Sequence, residues 1–349
     1  MIRRAILAMM CLLAAAPAAA ADPFVPNDPF YTSHQWYGDV LGLPEAWSYS
    51  RGSADVVIAV LDTGVMTDVP DLAGRLLAPL SSTGDPPMDG TANHHGTWVA
   101  SSVGMGVDNG IGGAGVGNVS ILPITVTNEL GGNASYDLAQ GIRMAADAGA
   151  RVINVSLSTL TYGQVNDAAE YARSKGALTF MAAGNSNAYN PLTDYEYLVF
   201  VSGTDRDDAR WDGGTVGSSW GPYIDLAAPA VDILVADPHN ANLPSGYGTH
   251  YGTSYAAPLA GGAAALAWSI CPDLTPDEVL GLLTSTAVDL GDPGWDEVFG
   301  SGRIDIGAVA AGAYALTPEP ATLALLAAGL GVLAVRRRRR SRRQRAPNR

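Results

Sequence analysis

Cysteine is almost missing from this 349-residue chain, with Cys11 and Cys271 the only two. Cys11 falls in a segment expected to be removed, which leaves Cys271 without an intramolecular partner and excludes a fold held by disulfides. Aromatic residues are few, at 7%, and basic residues are scarce away from the ends. Arg3 and Arg4 stand at the start, nine arginines lie between Arg336 and Arg349, and the body between them keeps nine basic residues against 33 acidic ones. A body at −24 lacks the clustered Lys and Arg that grip a phosphate backbone, so nucleic acid is excluded as a partner. The sequence also lacks repeats and has no long linker before Thr317. Its 47% hydrophobic content, with 41 glycines and 22 prolines spread along the chain, excludes a collagen-like or disordered polymer. The length allows one large α/β domain or two ordinary ones with a substantial core. The acidity suits a solvated extracellular surface and leaves carboxylates for a hard cation.

Both ends read as sorting segments. Met1–Ala21 combines Arg3 and Arg4, a short apolar run over Ala5–Ala16, and Ala19-Ala20-Ala21 as a small-residue cleavage site. Cleavage by signal peptidase is expected at Ala21/Asp22. The run is short for a retained anchor, and Met10 stands before Cys11 where lipoprotein processing wants a small residue. At the other end, Pro318-Glu319-Pro320 precedes an apolar stretch, Ala321–Val335, followed directly by the arginine cluster. Fifteen residues are marginal for a spanning helix, and the arginines would hold the end in the cytoplasm.

Between these segments, apolar and β-branched runs alternate with helical ones. Val56–Leu61, Val119–Val126, Arg151–Ser156, Ala177–Ala182 and Tyr197–Ser202 read as strands buried on both faces. Ser135–Ala148, with Ser135 as cap and Gly149 as stop, and Gln164–Lys175 have helical spacing. Ala256–Ile270 is apolar throughout, but its alanines, glycines and Pro258 point to a helix packed closely inside the fold rather than a membrane span. The order predicts an α/β domain over 22–315, a mainly parallel sheet with helices on both faces.

Three short motifs carry the chemistry. Asp62 ends the first buried strand, at the edge where sites assemble in parallel sheets, although a lone Asp there is more often a turn or cap. His95, in Asn93-His94-His95-Gly96-Thr97, stands at a helix start; zinc is a weak alternative, with no Glu between helically spaced histidines and no cysteine nearby. Ser254, in Gly252-Thr253-Ser254-Tyr255-Ala256-Ala257-Pro258, opens the long apolar helix, where backbone N–H groups favour a developing negative charge. Taken alone it would be an N-cap.

In the order Asp, His, Ser, with gaps of 33 and 159 residues, these motifs resemble the subtilisin-like serine proteases over about Asn27–Ile306. The resemblance implies a three-layer subtilisin-like fold and a serine endopeptidase acting on polypeptides. Ser254 would be the nucleophile, His95 the general base and acid, and Asp62 the group that orients the imidazole. Ala182-Ala183-Gly184-Asn185 matches the family's oxyanion segment, which assigns Asn185 a side-chain donor role beside the Ser254 N–H. Leu130-Gly131-Gly132-Asn133 and Ser156-Leu157-Ser158 resemble the two segments that pair with substrate backbone, Ser158 standing where the family usually has glycine. Val107-Asp108-Asn109-Gly110-Ile111-Gly112-Gly113 resembles a calcium loop, implying Asn109 and the carbonyls of Val107, Ile111 and Gly113 as ligands. Asp71 and Asp28, the latter as in the thermitase-like branch, would complete the set. About 40 residues separate the expected signal cleavage from Asp62, so a cleavable inhibitory prodomain is not expected.

The last 33 residues, 317–349, resemble the PEP-CTERM sorting signal. That implies transient contact of 321–335 with the inner membrane, then processing by an exosortase-type enzyme and release to the outer surface or exterior. A monomeric, secreted, calcium-stabilised endopeptidase is the resulting expectation. A catalytically silent peptide-binding surface protein and a maturation protease restricted to a few targets are its alternatives.

Overall fold

Strand β1, Val57–Asp62, shows why its sequence is apolar without a break: Ile58 and Val60 enter one core cluster, while Ala59 and Leu61 enter a second on the opposite face. The computed structural model describes residues 22–84, 87, 94–127, 135–157, 162–238 and 242–317. Seven strands form one parallel sheet in the order β2-β3-β1-β4-β5-β6-β7. Besides β1 they are β2 (Leu80–Ser81), β3 (Ser120–Thr125), β4 (Val152–Val155), β5 (Leu178–Ala182), β6 (Leu198–Thr204) and β7 (Leu226–Pro229). A separate antiparallel hairpin pairs β8 (Ile233–Ala236) with β9 (Tyr247–His250).

Three short helical turns open the described chain: α1 (Tyr31–His34), α2 (Tyr37–Val40) and α3 (Leu43–Tyr49). Helix α4 (His95–Gly104) and helix α7 (Thr253–Ile270) bury their apolar residues in the first core cluster. Helices α5 (Ser135–Asp147) and α6 (Tyr162–Ser174) cover the second. Two further helices, α8 (Pro276–Ser285) and α9 (Ile306–Ala315), add apolar side chains to the first. The result is the expected three-layer α/β architecture.

Helix α7 explains the long apolar run. Sixteen of its 18 residues are buried against the sheet and α4. Its glycines make the approach possible: a Cβ on Gly261 would lie 2.8 Å from Val152, and one on Gly262 would lie 2.7 Å from Val116. Among the described residues no helix is long and apolar enough to cross a membrane. The segment 321–335 lies outside the described residues, as do 1–21. By contacts, the chain divides into a unit up to Tyr314 and a second from Ala315.

Topology places a crevice at the carboxyl end of β1. The chain leaves β1 for β2 and β3 on one side and returns to β4 on the other, the strand reversal at which parallel sheets bind ligands. Asp62 lies at that end, with Ser156 just beyond β4 and Asn185 just beyond β5.

Candidate active site

The first two motifs interlock through their small residues. Thr63 Oγ1 accepts the Gly96 N–H at 3.1 Å, and Thr97 Oγ1 accepts the Met66 N–H at 2.9 Å. A Cβ at position 96 would lie 2.1 Å from the Gly64 carbonyl oxygen, so only glycine lets the start of α4 approach the end of β1. This docking sets His95 against Asp62, with Nδ1 2.8 Å from Oδ1 and 3.0 Å from Oδ2. The Asp62 side chain is fully buried and also accepts the Thr63 N–H at 2.8 Å. Burial pushes the His95 pKa down, but attraction and hydrogen bonding from Asp62 overcome it, and the net displacement is upward.

Helix α7 brings the third motif to the same place. Gly252 precedes it at φ 142°, a conformation suited to glycine, and Ser254 follows at the first turn, 7% exposed. Ser254 Oγ donates to the Ser156 carbonyl at 3.3 Å, while Ser156 Oγ donates to the Ser254 carbonyl at 2.7 Å. The only hydrogen bond of Ser254 Oγ among the described residues is this one, so the resting hydroxyl is turned to Ser156 rather than to His95.

Asn185 is pinned by its oxygen. Its Oδ1 accepts the Thr253 N–H at 2.9 Å and the Thr253 hydroxyl at 2.8 Å, and Thr253 Oγ1 in turn accepts the Gly184 N–H at 3.1 Å. With Oδ1 committed to Thr253, Nδ2 is the amide's remaining donor group. Thr253 thus orients the amide, a role the sequence reading did not assign to it.

A second imidazole–carboxylate pair lies close by. His250 Nε2 is 3.0 Å from Asp237 Oδ2, and the His250 ring stacks on Trp98 at 4.2 Å. Trp98 meets His95 edge-on at 6.3 Å. These residues form one wall beside the triad candidates. Tyr251, the residue after β9, is 65% exposed and packs against Trp211 with ring centroids 5.6 Å apart.

Of the expected substrate segments, Ser156 is buried and Leu157 half-buried; Gly131, Gly132 and Ser158 lie outside the described residues. The expected calcium residues do come together. Asp28, 3% exposed, accepts backbone N–H groups from Asp108, Asn109 and Gly110 at 2.8–3.0 Å. Asp71, 1% exposed, accepts the Gly106 N–H, the Asn109 Nδ2–H, the Gly113 N–H and the Tyr247 hydroxyl. Burial raises both carboxyl pKa values against these hydrogen bonds. Asn109 Oδ1 accepts the Ile111 N–H, and the Val107 carbonyl accepts from Asn118 Nδ2. Asp28 and Asp71 thus bring two buried carboxylates against the glycine-rich 107–113 loop, hard oxygen groups of the kind calcium takes, with their oxygens in this structure accepting N–H and O–H donors. Among the described residues no group of three or more His, Cys, Asp or Glu side chains gathers as a metal-ion site.

Residues 53–302 match the Subtilase family of peptidases. The chain belongs to the subtilase family. Residues 316–340 match the PEP-CTERM protein-sorting motif. Thermitase from Thermoactinomyces vulgaris is 34% identical over 247 residues, covering 70% of this chain and 85% of thermitase. The halolysin-like extracellular serine protease Nep of Natrialba magadii is 35% identical over 292 residues, 80% of this subtilase. The subtilase spans only 52% of Nep, about half the length of that relative. A protease of Pseudoalteromonas arctica superposes with a TM-score of 0.70 at 30% identity, covering 82% of this chain and 99% of its own.

Proposed function

We propose that this subtilase is an exported serine endopeptidase that cleaves polypeptides through an acyl-enzyme. The observation that carries this reading is the Asp62–His95 pair, at 2.8 and 3.0 Å, in one crevice with Ser254 at a helix start and the oriented amide of Asn185. Asp62 holds the Nδ1 side of His95, which leaves Nε2 to take the Ser254 proton as Oγ bonds to the scissile carbonyl carbon. The carbonyl electron pair moves onto oxygen, where Asn185 Nδ2 and the Ser254 N–H stabilise it. Collapse breaks the C–N bond, and His95 returns the proton to the leaving amine. Water then enters on the same base, repeats the sequence and releases the acid.

Gly131, Gly132, Ser156, Leu157 and Ser158 would pair with the substrate backbone as an added strand, a mode that reads extended peptides. Removal of 1–21 by signal peptidase, a peptidase domain over 22–315, and a tail over 317–349 complete the proposal. The tail would be held briefly in the inner membrane through 321–335 and then cleaved by an exosortase-type enzyme. Expected results with casein are turnover by the parent, none by Ser254→Ala, and a kcat lowered about 10²–10³-fold by Asn185→Ala, the general scale for one oxyanion donor. Turnover retained by Ser254→Ala overturns the reading, while a parent that reacts with a fluorophosphonate but spares casein points to a protease restricted to few targets.

Calcium enters this proposal as a stabiliser. Bound by Asp28, Asp71 and Asn109, it would neutralise buried carboxylates and stiffen the loop between α4 and β3. A ligand that binds only the folded state raises its melting temperature, so chelation is expected to lower it by several degrees, restored on adding calcium back. A melt unchanged after verified metal removal would assign the loop to its own N–H donors.

A further inference from the structure

Helix α7 carries a proline in its second turn. Pro258 has no N–H, so the carbonyl four residues earlier, that of Ser254, loses its helical donor, and the pyrrolidine ring crowds the same oxygen. The missing bond is supplied from the sheet. Ser156 Oγ donates to the Ser254 carbonyl at 2.7 Å. That hydroxyl has a single proton and a carbonyl can only accept, so the proton is committed to Ser254. Asn154, fully buried in β4, therefore meets Ser156 Oγ with its Nδ2–H, at 2.9 Å. Its Oδ1 is left buried without a partner. Such an unpaired acceptor is costly in a core, and it is here the consequence of aiming the amide at Ser156.

We propose that Ser156 is a positioning residue for the nucleophile: its hydroxyl replaces the helical hydrogen bond that Pro258 abolishes, and so fixes the turn of α7 from which Ser254 projects. The return contact, Ser254 Oγ to the Ser156 carbonyl at 3.3 Å, ties the two residues a second time. Asn154 supports the arrangement from inside the sheet. Ser156 is thereby given a role through its side chain, separate from any pairing of its backbone with a peptide. The inference rests on Ser254 being the nucleophile.

The test is a double-mutant cycle read by the rate of fluorophosphonate labelling, which needs no peptide in the cleft. With Pro258 present, Ser156→Ala is expected to slow labelling about tenfold, the equivalent of one hydrogen bond. In Pro258→Ala, the restored N–H at position 258 can serve the Ser254 carbonyl, and the same Ser156→Ala change should then cost less than about twofold. Ser156→Thr keeps the hydroxyl and is expected to label near the parental rate, which keeps the proposal open to test if Pro258→Ala does not fold. An equal loss in both backgrounds, no loss with Pro258 present, or a Thr variant as slow as the Ala variant overturns it. A folded parent that does not label at all has a different signature: it removes the serine mechanism itself, and this proposal with it.

Discussion

Two opposing influences act on His95. Burial disfavours its imidazolium, the charge and hydrogen bond of Asp62 favour it, and the carboxylate wins, placing the pKa above the ordinary 6.5. In the proposed mechanism His95 must be neutral to accept the Ser254 proton, so kcat/KM should climb with pH along a limb centred above 6.5. Asp62→Asn removes the winning influence and leaves burial. The limb is then expected at lower pH, with maximal kcat lower by about 10⁴-fold. A pH–rate profile for the two proteins checks this, and a limb that stays in place would contradict the assigned pairing. At this scale the triad candidates were legible in the sequence because glycine and threonine surround them. Their partners were not: Ser156 and Ser254 are 98 residues apart, and only the fold makes Thr253 the clamp of Asn185.

Among the elements, periodicity and apolar runs were good guides for β1, β3, β4, β5 and β6 and for the helices α5 and α6. Val56–Leu61 became β1 at Val57–Asp62, and Gln164–Lys175 became α6 at Tyr162–Ser174. Short segments escaped. Strands β7, β8 and β9 have four residues each and lack the β-branched density of the equally short β4: β7 is Leu-Ala-Ala-Pro, β9 contains Gly248, and β8 is a brief apolar run between Asp232 and Asp237. The hairpin they include is what unites Asp237 with His250 beside Trp98. Helix α8 shows how strongly a local signal can act: Thr275 Oγ1 accepts the Glu278 N–H, and Glu278 reaches back to the Thr275 N–H, forming a capping box. Thr275→Ala should cost about 1 kcal/mol in denaturant unfolding without changing kcat. A stability loss near zero would mean that tertiary packing alone holds this end of α8.

For the whole molecule, acid-rich composition and buried carboxylates set the response to pH. Burial pushes the Asp225 carboxyl up to about 7, against the 2.7 Å hydrogen bond from the Phe200 N–H and with Asp194 adding repulsion. A folded pKa above the unfolded value of 3.8 means that the fold favours the protonated acid. Its contribution is therefore most favourable below 3.8 and declines until pH passes about 7. Asp225→Asn is expected to stabilise the protein at pH 8 by on the order of 1 kcal/mol, and to change little at pH 3. Equal effects at both pH values would show that Asp225 acts by packing rather than charge.

The most direct measurement concerns the serine itself. The full chain would be treated with a fluorophosphonate probe, digested, and the adduct located by mass spectrometry. A single adduct on Ser254, absent in His95→Ala, is the result predicted by an Asp62–His95–Ser254 mechanism. A folded protein with no adduct, or with the adduct on another residue, would contradict it.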